Sequence, residues 1–336
     1  MNRPRRILAV CLCALGLLAC KSNSATEAKT PEKKSPHAKP IQEFQSVHQA
    51  QAKVEVSVSM HDSTAPKVDS KRAMQYVREV VNIGPRSLGS PGHKKVQDYI
   101  KSKLQGDQVE DDVFTANTPA GPFEGRNIIA KYPGKKDGII VLASHYDTNY
   151  GFKNYVGAND GGSTTGLLLE FANHIRQQGQ REGYTVWLVW FDAEEAIREW
   201  SEADSLYGSR HLSERLQKDG TLKKIKAFIL LDMIGDADLS VEEDMNSTLW
   251  LRQVIYQAAS RYGNQSYFFQ RQGGIVDDHI PFVEKGVPAV DLIDFEYGYA
   301  NVYHHTPQDT LDKLSPRSLQ IVGDTVLESI RLLDEK

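Results

Sequence analysis

TVWLVWFDAEE, residues 185–195, is the stretch of sequence from which the fold can be predicted. Its first part, 185–191, is an apolar run of strand length without polar alternation. Three further runs have the same character and occupy residues 139–143, 227–231 and 289–293. Continuous apolar strands are typical of a sheet that is covered on both faces. The runs therefore predict a central sheet buried between two layers of helices.

Helical patterns lie before, between and after these strands. Apolar residues at helical spacing follow Ser70, a candidate helix N-cap, and recur over 96–104, 168–175 and 319–330. Strands and helices that alternate along one continuous stretch indicate a single α/β domain, here a three-layer sandwich. We expect this domain to span residues 68–336.

Acids and a histidine follow three of the strands directly. His145 and Asp147 come after the first run, Glu194 and Glu195 after the second, and Asp232 closes the third. Binding sites in open α/β sheets lie outside the carboxyl ends of the strands. Strand ends are often polar simply because they meet solvent, but three ends with metal-binding residue types and no Lys or Arg among them predict a site.

Two loop motifs can complete such a site. Asp160 lies in the turn GANDGG, residues 157–162, where glycines let the backbone approach an ion closely; as an N-cap of the next helix it would need no ion. His304 and His305 precede the sequence TPQDT at 306–310. Asp, Glu and His together suit zinc, whereas calcium takes more oxygens and magnesium rarely takes His. No comparable setting is evident for the remaining histidines of the domain, His93, His174, His211 and His279.

Composition excludes several other classes of protein. The 336 residues carry 40 Lys+Arg and 44 Asp+Glu, a formal net charge of −4, which gives no case for nucleic-acid binding. A hydrophobic content of 40% is enough for a sizeable core. Because Cys11, Cys13 and Cys20 all lie in the first twenty residues, the folded part has no disulfide framework and no catalytic thiol.

The N-terminus has the features of an export signal. Basic residues precede an apolar run at 7–18 that is too short to span a bilayer, and the following Cys20 completes LLAC, which resembles the lipobox of bacterial lipoproteins. The resemblance implies that residues 1–19 are a signal peptide and that Cys20 is lipidated; an ordinary secretory signal or a short anchor is the alternative. Residues 20–67 are expected to form a polar, largely disordered tether. We therefore expect a lipid-anchored protein of the bacterial cell envelope, on its periplasmic or surface face, with the outer membrane as one option.

Five ordered motifs of the folded part resemble those of the M28-type zinc aminopeptidase superfamily. They are His145-x-Asp147, the turn at 157–160, Glu194-Glu195, Leu231-Asp232-Met233 and His305-Thr306-x-x-Asp309-Thr310. The resemblance covers about residues 70–336. It implies a central mixed, mostly parallel β-sheet flanked by helices, and two metal ions with Asp160 bridging and with His145 and Asp232 holding the second.

One segment within this domain resembles the animal-type glutaminyl-peptide cyclotransferases. It runs from Phe191 past the Glu pair and Trp200 to Arg210, where aminopeptidases are usually shorter, and DDHIPF at 277–282 also looks like the cyclase sequence. This second resemblance implies a single Zn²⁺ with three protein ligands, Asp160, Glu195 and His305.

The same resemblance assigns roles around the zinc. Glu194 would be the proton shuttle, Asp232 and Asp277 would be the other catalytic acids in a hydrogen-bonded network beside it, and Trp200 would line the substrate pocket. Cyclases typically carry Trp where this chain has His304, so His304 is expected to replace one wall of that pocket. The implied reaction converts the N-terminal Gln of a peptide to pyroglutamate and releases ammonia.

Three functions stay open at this stage. The segment containing Trp200 favours the cyclotransferase, whereas the NDGG turn at 159–162 favours an M28-type metallo-aminopeptidase that hydrolyses N-terminal residues with one or two zinc ions. A non-catalytic surface-binding lipoprotein is the third, which the intact Asp160, Glu194 and His305 disfavour. Both enzymes would act on peptides or proteins with a free N-terminus, so the expected partners are such peptides and, through Cys20, a membrane.

Overall fold

The computed structural model describes residues 65–336, so the predicted signal peptide, the lipidation site Cys20 and nearly all of the tether lie outside the described residues. Within 65–336, no helix combines the length and the hydropathy needed to cross a bilayer.

A mixed sheet forms the centre of the described domain. The strands of residues 65–336 are β1 (Gln108–Thr118), β2 (Gly121–Tyr132), β3 (Gly134–His145), β4 (Arg181–Phe191), β5 (Ile225–Asp232), β6 (Val241–Asp244), β7 (Phe268–Gly273) and β8 (Ala289–Ile293). Six of them make one sheet in the order β1-β2-β4-β3-β5-β8, and β6 pairs with β7 separately. The pairs β1–β2 and β2–β4 are antiparallel, whereas β4–β3, β3–β5 and β5–β8 are parallel. This confirms the predicted mixed, mostly parallel sheet.

Helices cover the sheet. They are α1 (Ser70–Val81), α2 (Pro91–Lys103), α3 (Gly162–Gln178), α4 (Tyr207–Asp219), α5 (Leu249–Arg261), α6 (Ile280–Val283) and α7 (Pro316–Asp334), with 3₁₀ turns at Thr221–Lys224, Gln265–Tyr267, Tyr299–Asn301 and Leu311–Lys313. The N-cap of α1 is Asp69, so the prediction of Ser70 was wrong by one residue: the Asp69 carboxylate accepts the N–H groups of Lys71 and Arg72 at 3.1 and 3.0 Å.

Two hydrophobic cores, one on each face of the sheet, explain the unbroken apolar runs. In β3, Ile140 and Leu142 belong to the core beneath α1, α3 and α7, whereas Val141 and Ala143 belong to the core beneath α4. Successive side chains of a strand point to opposite faces, so a strand buried on both faces must be apolar at every position. The predicted three-layer α/β sandwich is confirmed.

Candidate active site

The candidate active site lies at the carboxyl ends of β3, β4 and β5. His145 is the last residue of β3, Glu194 and Glu195 follow β4 after a short turn, and Asp232 is the last residue of β5. Parallel pairing sets His145 opposite Phe191, the last residue of β4, so these strand ends are level. The structure thus brings together side chains that are far apart in the sequence, at the edge of the sheet where strand order and direction predict a site.

Asp160 is presented by the glycine-rich turn before α3. Gly161 has a φ of 69°, and a Cβ at this position would lie 2.8 Å from the carbonyl oxygen of Asp147, so a glycine is required. The Asp309 carboxylate fixes the turn, since it accepts the backbone N–H groups of Asn159 at 2.8 Å and Asp160 at 3.2 Å. Asp160 therefore enters the site on a rigid support.

Arg86 holds the same turn through its fully buried guanidinium. It donates hydrogen bonds to the carbonyl oxygens of Tyr146, Val156 and Gly157 at 2.9, 2.5 and 3.0 Å. Sequence analysis missed Arg86 and gave Asp309 no role of its own, because both act on backbone that is 60 to 150 positions away. No local pattern could have identified these contacts.

Three of the predicted ligands meet in a group that we call the metal cluster: Asp160, Glu195 and His305. The His305 Nε2 atom lies 3.3 Å from Asp160 Oδ2 and 3.2 Å from Glu195 Oε2. Tyr155 donates a hydrogen bond to Asp160 Oδ2 at 2.5 Å, and Asn149 donates one to Glu195 Oε2 at 3.1 Å. Neutral donors thus orient both carboxylates, as in the outer sphere of a metal site.

Burial and close contact shift the pKa values within the metal cluster. Burial and the neighbouring Asp160 carboxylate raise the pKa of Glu195 to about 7. Burial lowers the pKa of His305, but the carboxylates of Asp160 and Glu195 outweigh this effect and raise it to about 11. Glu195 Oε1 is buried and accepts no hydrogen bond from any residue of the described domain. Two carboxylates and one imidazole form a mixed oxygen and nitrogen donor set, which fits zinc with an open coordination position.

A second donor set shares Asp160. His145 Nε2 lies 3.0 Å from Asp160 Oδ1 and 3.4 Å from Asp232 Oδ1, and potential ligand atoms of these three residues lie within 4.8 Å of one another. One oxygen of Asp160 thus faces His305 and the other faces His145. The residues present fit one zinc in the metal cluster, and they also fit two with Asp160 between them.

Glu194 points away from its neighbour Glu195. Ala193 has a positive φ of 54°, and Asp147 accepts the N–H groups of Glu194 at 3.2 Å and Glu195 at 3.3 Å. This turn directs Glu195 to the metal cluster and leaves Glu194 Oε2 3.8 Å from His145 Nδ1. Burial, with repulsion from nearby carboxylates, raises the pKa of Glu194 well above its ordinary value. A carboxyl with a raised pKa is suited to general acid–base chemistry.

Behind Glu194 lies a group that we call the acidic cluster: Asp277, Asp278 and Asp291. Burial raises the pKa of all three, Asp278 to about 7, and repulsion from neighbouring carboxylates raises the pKa of each one further. Both carboxylate oxygens of Asp291 lack a hydrogen-bond partner within residues 65–336. Sequence analysis predicted Asp277 but missed Asp278 and Asp291. An available signal was the acid at 291, in the middle of the apolar run that forms β8.

Two histidines lie in settings that sequence analysis did not foresee. His93 is buried, and its Nε2 atom lies 2.6 Å from Asp192 Oδ1 at the end of β4. His279 is fully buried, with Nε2 3.1 Å from Asp244 and Nδ1 3.8 Å from Asp291. Neither histidine belongs to the candidate metal-binding groups of the described residues, and the carboxylate partners of both come from other parts of the chain.

The two predicted pocket residues occupy different loops. Trp200 lies on the loop after Glu195, which Asp204 fixes by accepting the N–H groups of Ile197, Arg198 and Glu199 at 3.0, 2.8 and 3.1 Å. The Trp200 side chain is 41% exposed. His304 is half-buried and stacks on His305 with ring centroids 3.8 Å apart. His304 is therefore in direct contact with the metal cluster.

Comparisons with known proteins agree with this geometry. The model of peptidase family M28 matches residues 127–330. The glutaminyl-peptide cyclotransferase-like protein of Mus musculus is 32% identical over 271 residues, which cover 72% of this chain and 70% of that protein. The crystal structure of Acidobacteriales bacterium glutaminyl cyclase has a TM-score of 0.79 at 48% identity and covers 83% of this chain and 99% of its own. A leucine aminopeptidase precursor from Bacteroides thetaiotaomicron has a TM-score of 0.72 at 27% identity, over 81% and 99% of the two chains.

Proposed function

The chain belongs to peptidase family M28, and from this premise we propose that it is a zinc-dependent glutaminyl-peptide cyclotransferase. The enzyme would convert the N-terminal Gln of peptides to pyroglutamate and release ammonia. The observation that carries this choice is the 48% identity to the Acidobacteriales bacterium glutaminyl cyclase across nearly all of that chain. The buried metal cluster and the protonatable Glu194 supply the chemistry that this reaction needs.

Asp160, Glu195 and His305 would hold the zinc. His305 Nε2 lies within 3.3 Å of a carboxylate oxygen of each acid, and the buried Glu195 Oε1 accepts no hydrogen bond from a described residue. Bound there, zinc supplies a Lewis acid for the amide oxygen of the Gln side chain and stabilises the negative charge that develops on it.

Glu194 would move the proton. The neutral α-amine of the substrate attacks the γ-carboxamide carbon, a five-membered ring closes, and the amine nitrogen loses a proton. Glu194 accepts that proton and delivers it to the departing ammonia, so no covalent bond to the protein is needed. The raised pKa of Glu194 suits both steps, because the group must accept a proton and then give it up near neutral pH.

The residues around Glu194 would tune and shield this transfer. Burial keeps the pKa of Glu194 high, with repulsion from Glu195, Asp277 and Asp278, and Asp147 holds the backbone N–H of Glu194 in place. Trp200 and His304 would line the pocket in which the substrate folds for intramolecular attack. Such alignment is itself a large part of the rate gain in ring closure.

An M28-type aminopeptidase is the second candidate function, and one observation favours it. His145, Asp160 and Asp232 form a complete second donor set, which a single-zinc cyclase does not use. In that reaction Glu194 would take a proton from the water molecule that attacks the first peptide bond. Both functions use the same Glu194 and the same class of substrate, a peptide with a free N-terminus.

Lipid anchoring at Cys20 in the bacterial cell envelope is a further part of the proposal. It is supported by the basic start, the short apolar run and the LLAC sequence. Growth with a radiolabelled fatty acid should label the wild-type protein and leave Cys20→Ser unlabelled. Label on both proteins, or on neither, would contradict the anchor.

Mass spectrometry of a reacted peptide tests the function. The zinc-loaded protein is incubated with a peptide that begins Gln-Phe, next to Glu194→Gln as a matched control for spontaneous cyclisation. Loss of one ammonia with every residue retained, well above that control, is the expected result. Release of free Gln and a shortened peptide would establish the aminopeptidase instead, and an unchanged peptide would contradict both enzymes and favour a non-catalytic binding protein.

A further inference from the structure

His304 is close enough to the metal cluster to be taken for a ligand. One nitrogen of His304, one of His305 and an Asp160 carboxylate oxygen all lie within 4.8 Å of one another. The His304 ring is held between His305, at a centroid distance of 3.8 Å, and Phe295, at 5.2 Å. Its role therefore depends on which of its nitrogens carries a proton.

Asn301 decides the position of that proton. Its side-chain Oδ1 accepts the backbone N–H of Tyr297 at 3.2 Å, so its Nδ2 is the atom that faces His304 Nδ1, at 3.3 Å. An amide nitrogen can only donate, and His304 Nδ1 must therefore accept. The hydrogen-bond network thus assigns the proton of the neutral ring to Nε2.

The conformation of Asn301 makes this arrangement rigid. Its φ is 60° and that of Ala300 is 55°, so two successive residues are left-handed. Asn tolerates this region better than other residues that have a Cβ. Because Oδ1 is tied to the backbone of Tyr297, rotating the amide to offer an acceptor to His304 would break that bond.

This tautomer is the wrong one for a metal ligand. A histidine that binds a metal through one nitrogen normally donates its other N–H to a carboxylate, carbonyl or water. If His304 bound zinc through Nε2, its Nδ1–H would face the N–H₂ group of Asn301, and if it bound through Nδ1, it would lose the bond to Asn301. In this tautomer the Nε2 group of His304 is an N–H donor.

We propose that His304 is a specificity-determining residue that donates a hydrogen bond from Nε2–H to the carbonyl oxygen of the first peptide bond of the substrate, and that Asn301 is the positioning residue that fixes this donor. The inference rests on the proposed cyclotransferase function. A peptide with N-terminal Gln carries two nearby carbonyl acceptors. The γ-carbonyl is the reacting group at the metal cluster, which leaves the first peptide carbonyl for the half-buried His304.

A pair of variants and a pair of substrates test the hydrogen bond. His304→Phe keeps an aromatic ring against His305 and removes the donor, whereas His304→Trp keeps a donor in its indole N–H. The substrates are Gln-Phe-amide and γ-aminobutyramide, which can also close a ring with loss of ammonia but has no first peptide carbonyl. We expect His304→Phe to raise the KM for Gln-Phe-amide about tenfold, the size of one hydrogen bond, with little change in kcat.

The same substitution should leave kcat/KM for γ-aminobutyramide within about twofold, since the missing bond was never made to that substrate. In His304→Trp, the KM for Gln-Phe-amide should return most of the way to the wild-type value. Equal losses on the two substrates in His304→Phe would overturn the assigned hydrogen bond, as would a His304→Trp variant as impaired as His304→Phe.

Zinc affinity, measured by competition with a chelator, tests the exclusion of His304 from the metal and does not depend on turnover. We expect His304→Phe to bind zinc within about twofold of wild type, whereas a lost ligand would weaken binding more than about tenfold. Asn301→Asp supplies an acceptor to Nδ1 and frees Nε2, so it should tighten zinc binding and raise the KM for Gln-Phe-amide. Weaker zinc binding in His304→Phe would overturn the inference.

The outcomes also separate this inference from the proposed function. If the wild-type protein forms no pyroglutamate, the cyclotransferase proposal fails, and the affinity of zinc-loaded wild type and His304→Phe for a Gln-Phe peptide is then compared by calorimetry. Equal peptide affinities there would overturn the hydrogen bond by themselves.

Discussion

The metal cluster and the acidic cluster are both built from buried carboxylates, but they are supported in opposite ways. In the metal cluster, Asp160 and Glu195 are oriented by the hydrogen bonds of Tyr155 and Asn149. In the acidic cluster, the carboxylate oxygens of Asp291 accept no hydrogen bond from any described residue. The carboxylates of the metal cluster are oriented as metal ligands would be, whereas those of the acidic cluster are expected to bind protons.

Burial has different consequences for Asp160 and for the acids of the acidic cluster. A buried carboxylate without a partner is neutralised by a proton, because the charged form is costly away from water. Burial accordingly raises the pKa of Asp277 and Asp291 well above the ordinary range. In the metal cluster, histidines outweigh burial and hold the pKa of Asp160 well below its ordinary value. Burial raises the pKa of Glu194, and repulsion from Glu195 in the metal cluster and from Asp277 and Asp278 in the acidic cluster raises it further.

Substitution of Glu194 and Glu195 should give the largest effects. The two variants should separate metal binding from proton transfer. We expect Glu195→Gln to weaken zinc binding more than about 100-fold, since a ligand counts for more than an outer-sphere partner. Glu194→Gln should retain zinc and lose about 10³-fold in kcat, the scale of general acid–base catalysis. Zinc content after dialysis and the rate of pyroglutamate formation measure the two effects. Full activity in Glu194→Gln would remove it as the proton shuttle.

Asp277→Asn tests the acidic cluster. Zinc should be retained and kcat should fall about 10²-fold, because the substitution disturbs the proton balance around Glu194. Asp277 and Glu194 repel each other when both are ionised, so replacing Asp277 with a neutral amide should lower the pKa of Glu194. Glu194 must be deprotonated to accept the proton of the amine, and the acid limb of the kcat/KM profile should therefore move to lower pH. A limb that stays in place, or that moves to higher pH, would contradict this role.

Asp309→Asn tests the support of the metal cluster. Asp309 accepts two backbone N–H groups of the turn that carries Asp160, and an amide cannot accept both with the same geometry. We expect zinc affinity to fall about tenfold to 100-fold, as for other outer-sphere partners. The exposed Asp312→Asn, close by in the sequence, is the matched control and should bind zinc like wild type. Equal affinities in both variants would show that the turn needs no such support.

A stability measurement on His93 should give the smallest effect. Burial lowers the pKa of His93, but Asp192 outweighs it and raises that pKa. His93 therefore contributes stability that is fully present below its unfolded pKa of about 6.5 and is lost as pH rises through the folded pKa. His93→Gln should lower the free energy of unfolding by about 2 kcal/mol at low pH and by less at high pH. Urea denaturation at several pH values measures it, and a difference that grows with pH would contradict the assignment.

The buried part of the sheet could be predicted from sequence, and its edge could not. The central segments of β3, β4, β5 and β8, at 139–143, 185–191, 227–231 and 289–293, are mostly apolar because both of their faces are covered. β1 and β2 were not predicted, since they lie at one side of the sheet and mix charged residues with apolar ones. The antiparallel part of the sheet was therefore expected only from the family resemblance.

In the candidate site, too, some residues could be predicted from sequence and others could not. Ligand types at strand ends are visible in the sequence, and the structure brings Asp160, Glu195 and His305 together as that pattern suggests. The contacts of Arg86 and Asn301 were not visible, because they depend on backbone carbonyls and on a tautomer that only the folded chain defines. The placement of acids and histidines at the strand ends could be predicted, and residues that orient others could not.

A zinc titration of the metal-free protein with simultaneous analysis of the product tests whether the chain is a single-zinc cyclotransferase. The peptide begins with Gln, and both the rate and the product mass are followed as zinc is added. The account predicts that activity rises in proportion to zinc and levels off at one ion per chain, with a full-length pyroglutamyl peptide as product. A plateau at two ions per chain with a shortened peptide would contradict it, because the second donor set at His145 and Asp232 would then be part of a peptidase.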